Sequence, residues 1–130
     1  MASDPAIRVL VVDDDRAVRQ MVCTALRRHG FTVESAQDGI EALAMLHAAA
    51  YDLLVLDLMM PRLDGFGVLE KIDDSAAQHP KILILTAAVP SILEQLPRER
   101  VNAVLTKPFD IAALIATARA VAADTPRISD

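Results

Sequence analysis

The sequence has a single cysteine, Cys23, among its 130 residues, so no disulfide bridge can form within the chain. This favours a reducing compartment, and because Cys23 falls in a helical pattern we expect a packed, unreactive thiol. No apolar run approaches the ~20 residues of a membrane-spanning helix. The first residues, Met1-Ala-Ser-Asp-Pro5, lack the basic and apolar segments of a signal peptide. These absences predict a cytoplasmic protein without membrane insertion.

Basic residues are also scarce. The chain has 13 Lys and Arg residues against 18 Asp and Glu residues, which gives a formal net charge of −5. This balance argues against direct contact with nucleic acid and favours cations or basic partners. Hydrophobic residues make up 53% of the chain, too many for a disordered segment, and the length fits one domain with a sizeable core.

Short apolar runs alternate with amphipathic helical patterns along the chain. The predicted strands are residues 8–12, 31–35, 53–56, 81–85 and 103–105. The first predicted helix begins at Val18 and ends at His29-Gly30, and the second covers residues 39–50. The third begins at Asp64-Gly65 and ends at Ile72, and the fourth covers residues 91–96, between Pro90 and Pro97. The fifth ends at Ala122 and has Asp110 as its N-cap. Residues 73–80 are expected to form a loop.

This alternation predicts an α/β fold: a doubly wound, five-stranded parallel sheet with helices on both faces. Residues 31–35 alone show the alternating pattern of a half-exposed edge strand, which favours the strand order 2-1-3-4-5. The expected domain covers residues 7–123, between short tails at 1–6 and 124–130. At this length we expect no separate output domain, unless the sequence was cut from a longer regulator.

Polar residues fall where the predicted strands end: Asp13, Asp14 and Asp15 after the first, Asp57 after the third, Thr86 after the fourth, and Lys107 after the fifth. In such sheets, ligands bind beyond the carboxyl ends of the strands, at the point where the strand order reverses. Clustered carboxylates repel a phosphate but suit Mg²⁺. An aspartate at the end of one strand is more often a helix cap, and a lysine there is usually solvated. Independent caps, however, would rarely place acids after the first and third strands together with Thr after the fourth and Lys after the fifth.

The combination can perform phosphoryl transfer, with a carboxylate nucleophile, a metal, and Lys and Thr side chains on the remaining charge. Repulsion among the acids should raise at least one carboxyl pKa when no metal is bound. Asp15 is expected to lie outside the site, because it precedes Arg16 and suits the N-cap of the first helix.

Four segments resemble the receiver domain of bacterial two-component response regulators, chemotaxis receivers included: "VVDD" at 11–14, "DLLVLDLMMPRLDG" at 52–65, "ILTA" at 84–87 and "TKPF" at 106–109. The resemblance covers residues ~7–123 and implies a flavodoxin-like, three-layer α/β/α fold. It implies that Asp57 is the phosphoacceptor, with Thr86 and Lys107 contacting the acyl phosphate. Asp13, Asp14, Asp57 and the Met59 carbonyl would hold Mg²⁺, which Mn²⁺ could replace, and the Lys107–Pro108 peptide would be cis.

The same resemblance implies a signalling switch rather than a general enzyme, since a receiver catalyses only its own phosphorylation and dephosphorylation. The phosphoryl donor would be a sensor histidine kinase or a phosphotransfer protein. The output would be a changed surface that contacts a downstream protein not identifiable from the sequence.

The sequence departs from the usual receiver pattern at several positions. Val104 stands where similar domains often carry Tyr or Phe as a rotamer switch. One interpretation is that Val104 is an ordinary packing residue. The sharper hypothesis is that the output bypasses the face formed by the fourth helix, fifth strand and fifth helix. In similar receivers the positions of Met59 and Ala88 tune the lifetime of the phosphate. Neither side chain can orient a water by hydrogen bonding, so we expect a long-lived acyl phosphate. Pro90 and Pro97 leave about two turns for the fourth helix.

Two alternatives stay open on the sequence. "VVDDD" satisfies the D-x-D start of a haloacid dehalogenase-type phosphatase, with Asp13 as nucleophile and Asp15 as acid/base, although Asp57 then has no role. The chain could also be a docking module that is never phosphorylated, against which the complete set of Asp, Thr and Lys residues argues.

Overall fold

The computed structural model describes residues 6–72, 79–87 and 89–123. Within these ranges, no helix is both long and apolar enough to cross a membrane. The expected loop at 73–80 therefore lies mostly outside the described residues, as do Ala88 and nearly all of both expected tails.

Five parallel strands form one sheet in the order β2-β1-β3-β4-β5, which confirms the predicted fold and strand order. The strands are β1 (Arg8–Val12), β2 (Thr32–Ala36), β3 (Leu53–Asp57), β4 (Lys81–Ala87) and β5 (Ala103–Lys107). β2 is an edge strand with alternating burial, as its sequence pattern predicts. The strand order reverses between β1 and β3, so the residues at the carboxyl ends of these two strands are neighbours.

Helices cover both faces of the sheet. They are α1 (Arg16–Arg28), α2 (Gly39–Ala48), α3 (Gly65–Lys71), α4 (Pro90–Leu93) and α5 (Ile111–Ala123). Alternate residues of β1 point to opposite faces. Val9 and Val11 pack with the apolar side chains of α1 and α5, whereas Leu10 and Val12 pack with those of α2 and α3. Cys23 is buried in the first of these two cores, as expected for a packed thiol.

Aspartates begin four of the helices. Asp15 accepts hydrogen bonds from the Ala17 and Val18 amides, and Asp110 accepts one from the Ala113 amide. These contacts confirm both predicted N-caps, because the side-chain oxygens satisfy amides that the first helical turn leaves without partners. Asp38 and Asp64 cap α2 and α3 in the same way.

The fourth helix is shorter than predicted. α4 has four residues, Pro90–Leu93, and the chain then tightens, with the Gln95 amide donating to the Ile92 carbonyl and the Leu96 amide to the Leu93 carbonyl. Pro97 is consistent with the early end, because in a continued helix its ring would clash with the carbonyl of Leu93, four residues earlier. A short 3-10 helix, Arg98–Arg100, follows and was not predicted. β4 and β5 extend two residues beyond the prediction and so include Thr86 and Lys107.

Candidate functional site

Three carboxylates meet at the reversal of strand order. Asp57 is the last residue of β3, and Asp13 and Asp14 directly follow β1, its neighbour in the sheet. One carboxylate oxygen from each of the three lies within 4.8 Å of the others. Asp13 and Asp57 are buried, and Asp14 is exposed. The cluster can therefore be reached from solvent on one side.

Lys107 brings a positive charge to these acids. Its Nζ lies 3.2 Å from Asp13 Oδ2 and 3.7 Å from Asp57 Oδ2. The residue ends β5, two strands away from β3, and the peptide bond that follows it, to Pro108, is cis as predicted. One ammonium group thus contacts acids that come from two different strand ends.

Thr86 contributes a hydroxyl group at the end of β4. In the sheet register Leu85 pairs with Asp57, so Thr86 lies one step beyond it. The residue is completely buried, and its Oγ1 has no hydrogen-bond partner among the described residues. A buried hydroxyl without a partner costs about 1–3 kcal/mol, so the group needs an explanation, and a ligand that accepts its hydrogen bond is one. Thr86 is therefore placed to hydrogen-bond a ligand at this edge of the sheet.

The electrostatics of the cluster are unfavourable without a cation. Burial, and then the negative charge of Asp13, raise the pKa of Asp57 to about 6, although Lys107 and the Met59 amide act in the opposite direction. One carboxyl pKa in the cluster is thus raised, as predicted, but burial contributes more to the rise than the predicted repulsion among the acids. Carboxylate oxygens are the ligands that Mg²⁺ prefers, and a divalent cation would offset their repulsion. The donor set thus fits the metal implied by the sequence.

The loop around Asp13 is held by several hydrogen bonds. Asp13 Oδ1 accepts from the Asp15 amide at 2.9 Å, and Arg19 Nη1 donates to the Asp13 carbonyl at 2.8 Å. Asp15 itself directs its carboxylate to the start of α1. The sequence analysis therefore correctly predicted that Asp15 lies outside the group formed by Asp13 and Asp14. It did not predict the role of Arg19, because this contact depends on how α1 lies relative to the end of β1.

The loop after Asp57 turns back tightly towards it. The Met59 amide donates to Asp57 Oδ1 at 3.3 Å, and the Gly65 amide donates to the Leu58 carbonyl at 3.0 Å. A Cβ atom at Gly65 would lie 2.7 Å from the Asp57 carbonyl oxygen, so only glycine fits this approach. The Met59 side chain is 55% exposed at the rim of the site.

Comparison with known proteins decides what this arrangement is. Residues 9–119 match the response regulator receiver domain family. The chain belongs to this family. A receiver domain is a phosphorylation-controlled signalling switch of two-component systems, so the preferred interpretation of the sequence is confirmed over the phosphatase alternative.

Curated relatives of the receiver domain include response regulator MprA of Mycobacterium ulcerans (strain Agy99). It is 45% identical over 118 residues, which are 89% of this chain and 50% of that protein. MprA of Mycobacterium avium (strain 104) is 44% identical over 117 residues, again 50% of its length. The chain therefore spans about half the length of these relatives.

Solved structures support the same fold for the receiver domain. The chemotaxis response regulator CheY4 of Vibrio cholerae has a TM-score of 0.81 at 32% identity and covers 90% of this chain and 99% of its own. TrrA of Thermotoga maritima, solved in complex with Mg²⁺-BeF, has a TM-score of 0.78 at 29% identity and covers 88% of this chain and 98% of its own.

The structure brings most of the predicted site residues of the receiver domain together. Asp13, Asp14, Asp57 and Lys107 form one cluster, and Thr86 ends the neighbouring strand. Val104 lies on β5, 38% exposed, and pairs with Ile84 of β4. Ala88 lies outside the described residues.

Proposed function

We propose that the domain accepts a phosphoryl group on Asp57 from the phosphohistidine of a sensor histidine kinase or a phosphotransfer protein. The observation that supports this most directly is the buried Asp57 carboxylate, which lies beside Lys107 and the acids Asp13 and Asp14. An Asp57 carboxylate oxygen attacks phosphorus, the phosphorus–nitrogen bond of the donor breaks, and the imidazole leaves. The product is an acyl phosphate on Asp57.

Each neighbouring side chain has a proposed part in this step. Asp13, Asp14, Asp57 and the Met59 carbonyl would hold Mg²⁺, or Mn²⁺ in its place, which when bound offsets negative charge on the acids and on the phosphoryl group. Lys107 stabilises the charge that develops on a phosphoryl oxygen, and the Thr86 hydroxyl donates a hydrogen bond to another. Asp57 must be ionised to attack, so a neighbouring cation that favours its charged form also prepares the nucleophile.

The biological setting is part of the same proposal. The receiver domain would comprise residues 7–123 and act in the cytoplasm. It would catalyse only its own phosphorylation and dephosphorylation. It would signal through altered contacts with a downstream protein. Direct contact with nucleic acid is not expected of this acidic chain, which carries a net charge of −5.

Phosphorylation by acetyl phosphate and Mg²⁺, followed by intact-mass spectrometry, tests the proposal. Wild-type protein should gain the mass of one phosphoryl group, and the Asp57→Asn variant should gain none. Asp15→Asn is the matched control, because asparagine also caps helices, and it should be phosphorylated like the wild type. Equal labelling of Asp57→Asn and wild type would refute the assignment.

A long lifetime of the acyl phosphate is expected, because the exposed Met59 thioether is too weak an acceptor to orient an attacking water. Met59→Asn places an amide there and should speed hydrolysis about tenfold, which is less than the ~100-fold or more of a positioned acid or base because an amide only orients the water. Decay of the phosphorylated species, followed by mass spectrometry after removal of acetyl phosphate, measures this. Unchanged decay would mean that Met59 does not set the lifetime.

The output is proposed to bypass the α4-β5-α5 face, because Val104 provides no aromatic rotamer switch. Structures with and without beryllofluoride should then differ little on that face, including around Val104. A large displacement of α4 and β5 in the beryllofluoride complex would contradict this proposal and show that the loop shifts without an aromatic residue.

A further inference from the structure

An ion pair joins the loop that follows Asp57 to the start of α2. Arg62 Nη2 contacts Asp38 Oδ2 within hydrogen-bond distance, across 24 residues of sequence. The Asp38 side chain is only 8% exposed, whereas that of Arg62 is 64% exposed. The arginine therefore reaches from the surface to a carboxylate that is nearly buried.

Asp38 divides its two carboxylate oxygens between two partners. Oδ1 accepts from the Glu41 amide at 2.8 Å and so caps α2, which leaves Oδ2 for Arg62. The Glu41 amide, and to a lesser degree Arg62, hold the pKa of Asp38 below its usual value. The carboxylate is thus ionised at neutral pH and its charge is matched by Arg62.

The backbone at Arg62 adopts a conformation that is uncommon for a residue other than glycine. Its φ of 65° lies in the left-handed region, where it is the only non-glycine residue in the described ranges. Such conformations persist where the surrounding contacts determine them. At the next residue the loop packs on α2, since a Cβ atom at Gly39 would lie 2.4 Å from the Leu63 carbonyl oxygen.

Both segments joined in this way lead directly to the acids. Met59, three residues before Arg62, donates its amide to Asp57 Oδ1. Ala36, two residues before Asp38, accepts a hydrogen bond from the Asp13 amide at 3.3 Å. The ion pair therefore spans the two backbone segments next to Asp57 and Asp13.

We propose that Arg62 and Asp38 are positioning residues that hold loop 58–64 in the geometry required to bind a divalent cation. This inference rests on the proposed function, because it concerns the same metal site. Neither residue belongs to the carboxylate cluster that would hold the metal. Their effect passes through the loop backbone, which carries the Met59 carbonyl. The sequence analysis did not predict this ion pair. The pattern of Asp38 followed by Glu41 three residues later could have identified Asp38 as a helix cap, but not its contact with Arg62.

Two measurements on the 130-residue protein test the inference. The first is amide hydrogen exchange of residues 58–64 without metal, and the second is the Mg²⁺ dissociation constant from an NMR titration. Arg62→Met and Asp38→Asn should each speed exchange and weaken Mg²⁺ binding about fivefold, the scale of one partly exposed ion pair. Arg62→Lys should restore most of the affinity, and the double variant should be no worse than either single one. Asp38→Asn keeps a capping oxygen.

Arg28→Met, an exposed arginine in the last turn of α1, is the matched control and should leave both measurements unchanged. If Arg62→Met lowers overall stability but leaves loop exchange and Mg²⁺ affinity at wild-type values, the pair is structural only and the inference is wrong. Wild-type protein that fails to bind Mg²⁺ would overturn the proposed function together with the inference. Wild-type binding that all variants match would overturn the inference alone.

Discussion

Asp57→Asn is expected to raise the free energy of unfolding of the metal-free protein by about 1–3 kcal/mol near pH 7.5. The folded-state pKa of Asp57 is about 6, against 3.8 for an unperturbed aspartate. The folded protein therefore binds more protons than the unfolded chain between these values, and this carboxyl group makes stability fall as pH rises from about 4 through about 6. Asparagine carries no charge, so the variant does not lose stability in this way as pH rises.

Urea denaturation in the presence of a chelator measures this effect at several pH values. The difference between Asp57→Asn and wild type should shrink as pH falls from about 6 and approach zero only below about pH 3, where Asp57 is protonated in both the folded and the unfolded state. Asp15→Asn, the matched change at an exposed helix cap, should alter stability by less than about 0.5 kcal/mol. A difference that does not depend on pH, or a less stable Asp57→Asn variant, would contradict the electrostatic description of the site.

Lys107→Met is expected to slow phosphorylation by acetyl phosphate about 100-fold, the usual scale for removing one group that stabilises charge in a transition state. Mg²⁺ affinity should be unchanged or higher, since the Lys107 ammonium lies 3.2 Å from Asp13 Oδ2 and competes with the cation for the same carboxylates. The variant should therefore lose phosphorylation rate without losing Mg²⁺ affinity.

Rates of mass gain and an NMR titration with Mg²⁺ separate these two effects. Lys81→Met is the matched control, because Lys81 begins β4 at the amino end of the sheet, away from the acids. It should change neither quantity. Parallel losses of Mg²⁺ affinity and phosphorylation rate in Lys107→Met would show that Lys107 supports the metal site rather than the phosphoryl group.

The sequence could predict the site because its parts lie at strand ends. Apolar runs identify the strands, and a parallel sheet then brings the residues after β1 and β3 to one edge, which places Asp13 beside Asp57. Asp15 could be separated from Asp13 and Asp14 because helix capping is a local property. These inferences need only short stretches of sequence and the topology.

Other features depend on tertiary contacts that no local pattern contains. The Arg62–Asp38 pair needs the left-handed backbone at Arg62 and the close approach of Leu63 to Gly39. The size of the shift in the pKa of Asp57 depends mainly on burial, which becomes known only when the core is assembled. Pro90 and Pro97 marked the limits of α4 in the sequence, but no local pattern indicated that it would end at Leu93 or that a 3-10 helix would follow.

The central claim is that Asp57, rather than Asp13 or Asp14, carries the phosphoryl group. Acyl phosphates are reduced by borohydride, which converts the modified aspartate to homoserine and marks its position permanently. Protein phosphorylated with acetyl phosphate and Mg²⁺ should yield homoserine at position 57 after reduction and peptide mass spectrometry. Homoserine at position 13 or 14, or its absence from a fully phosphorylated sample, would contradict the assignment.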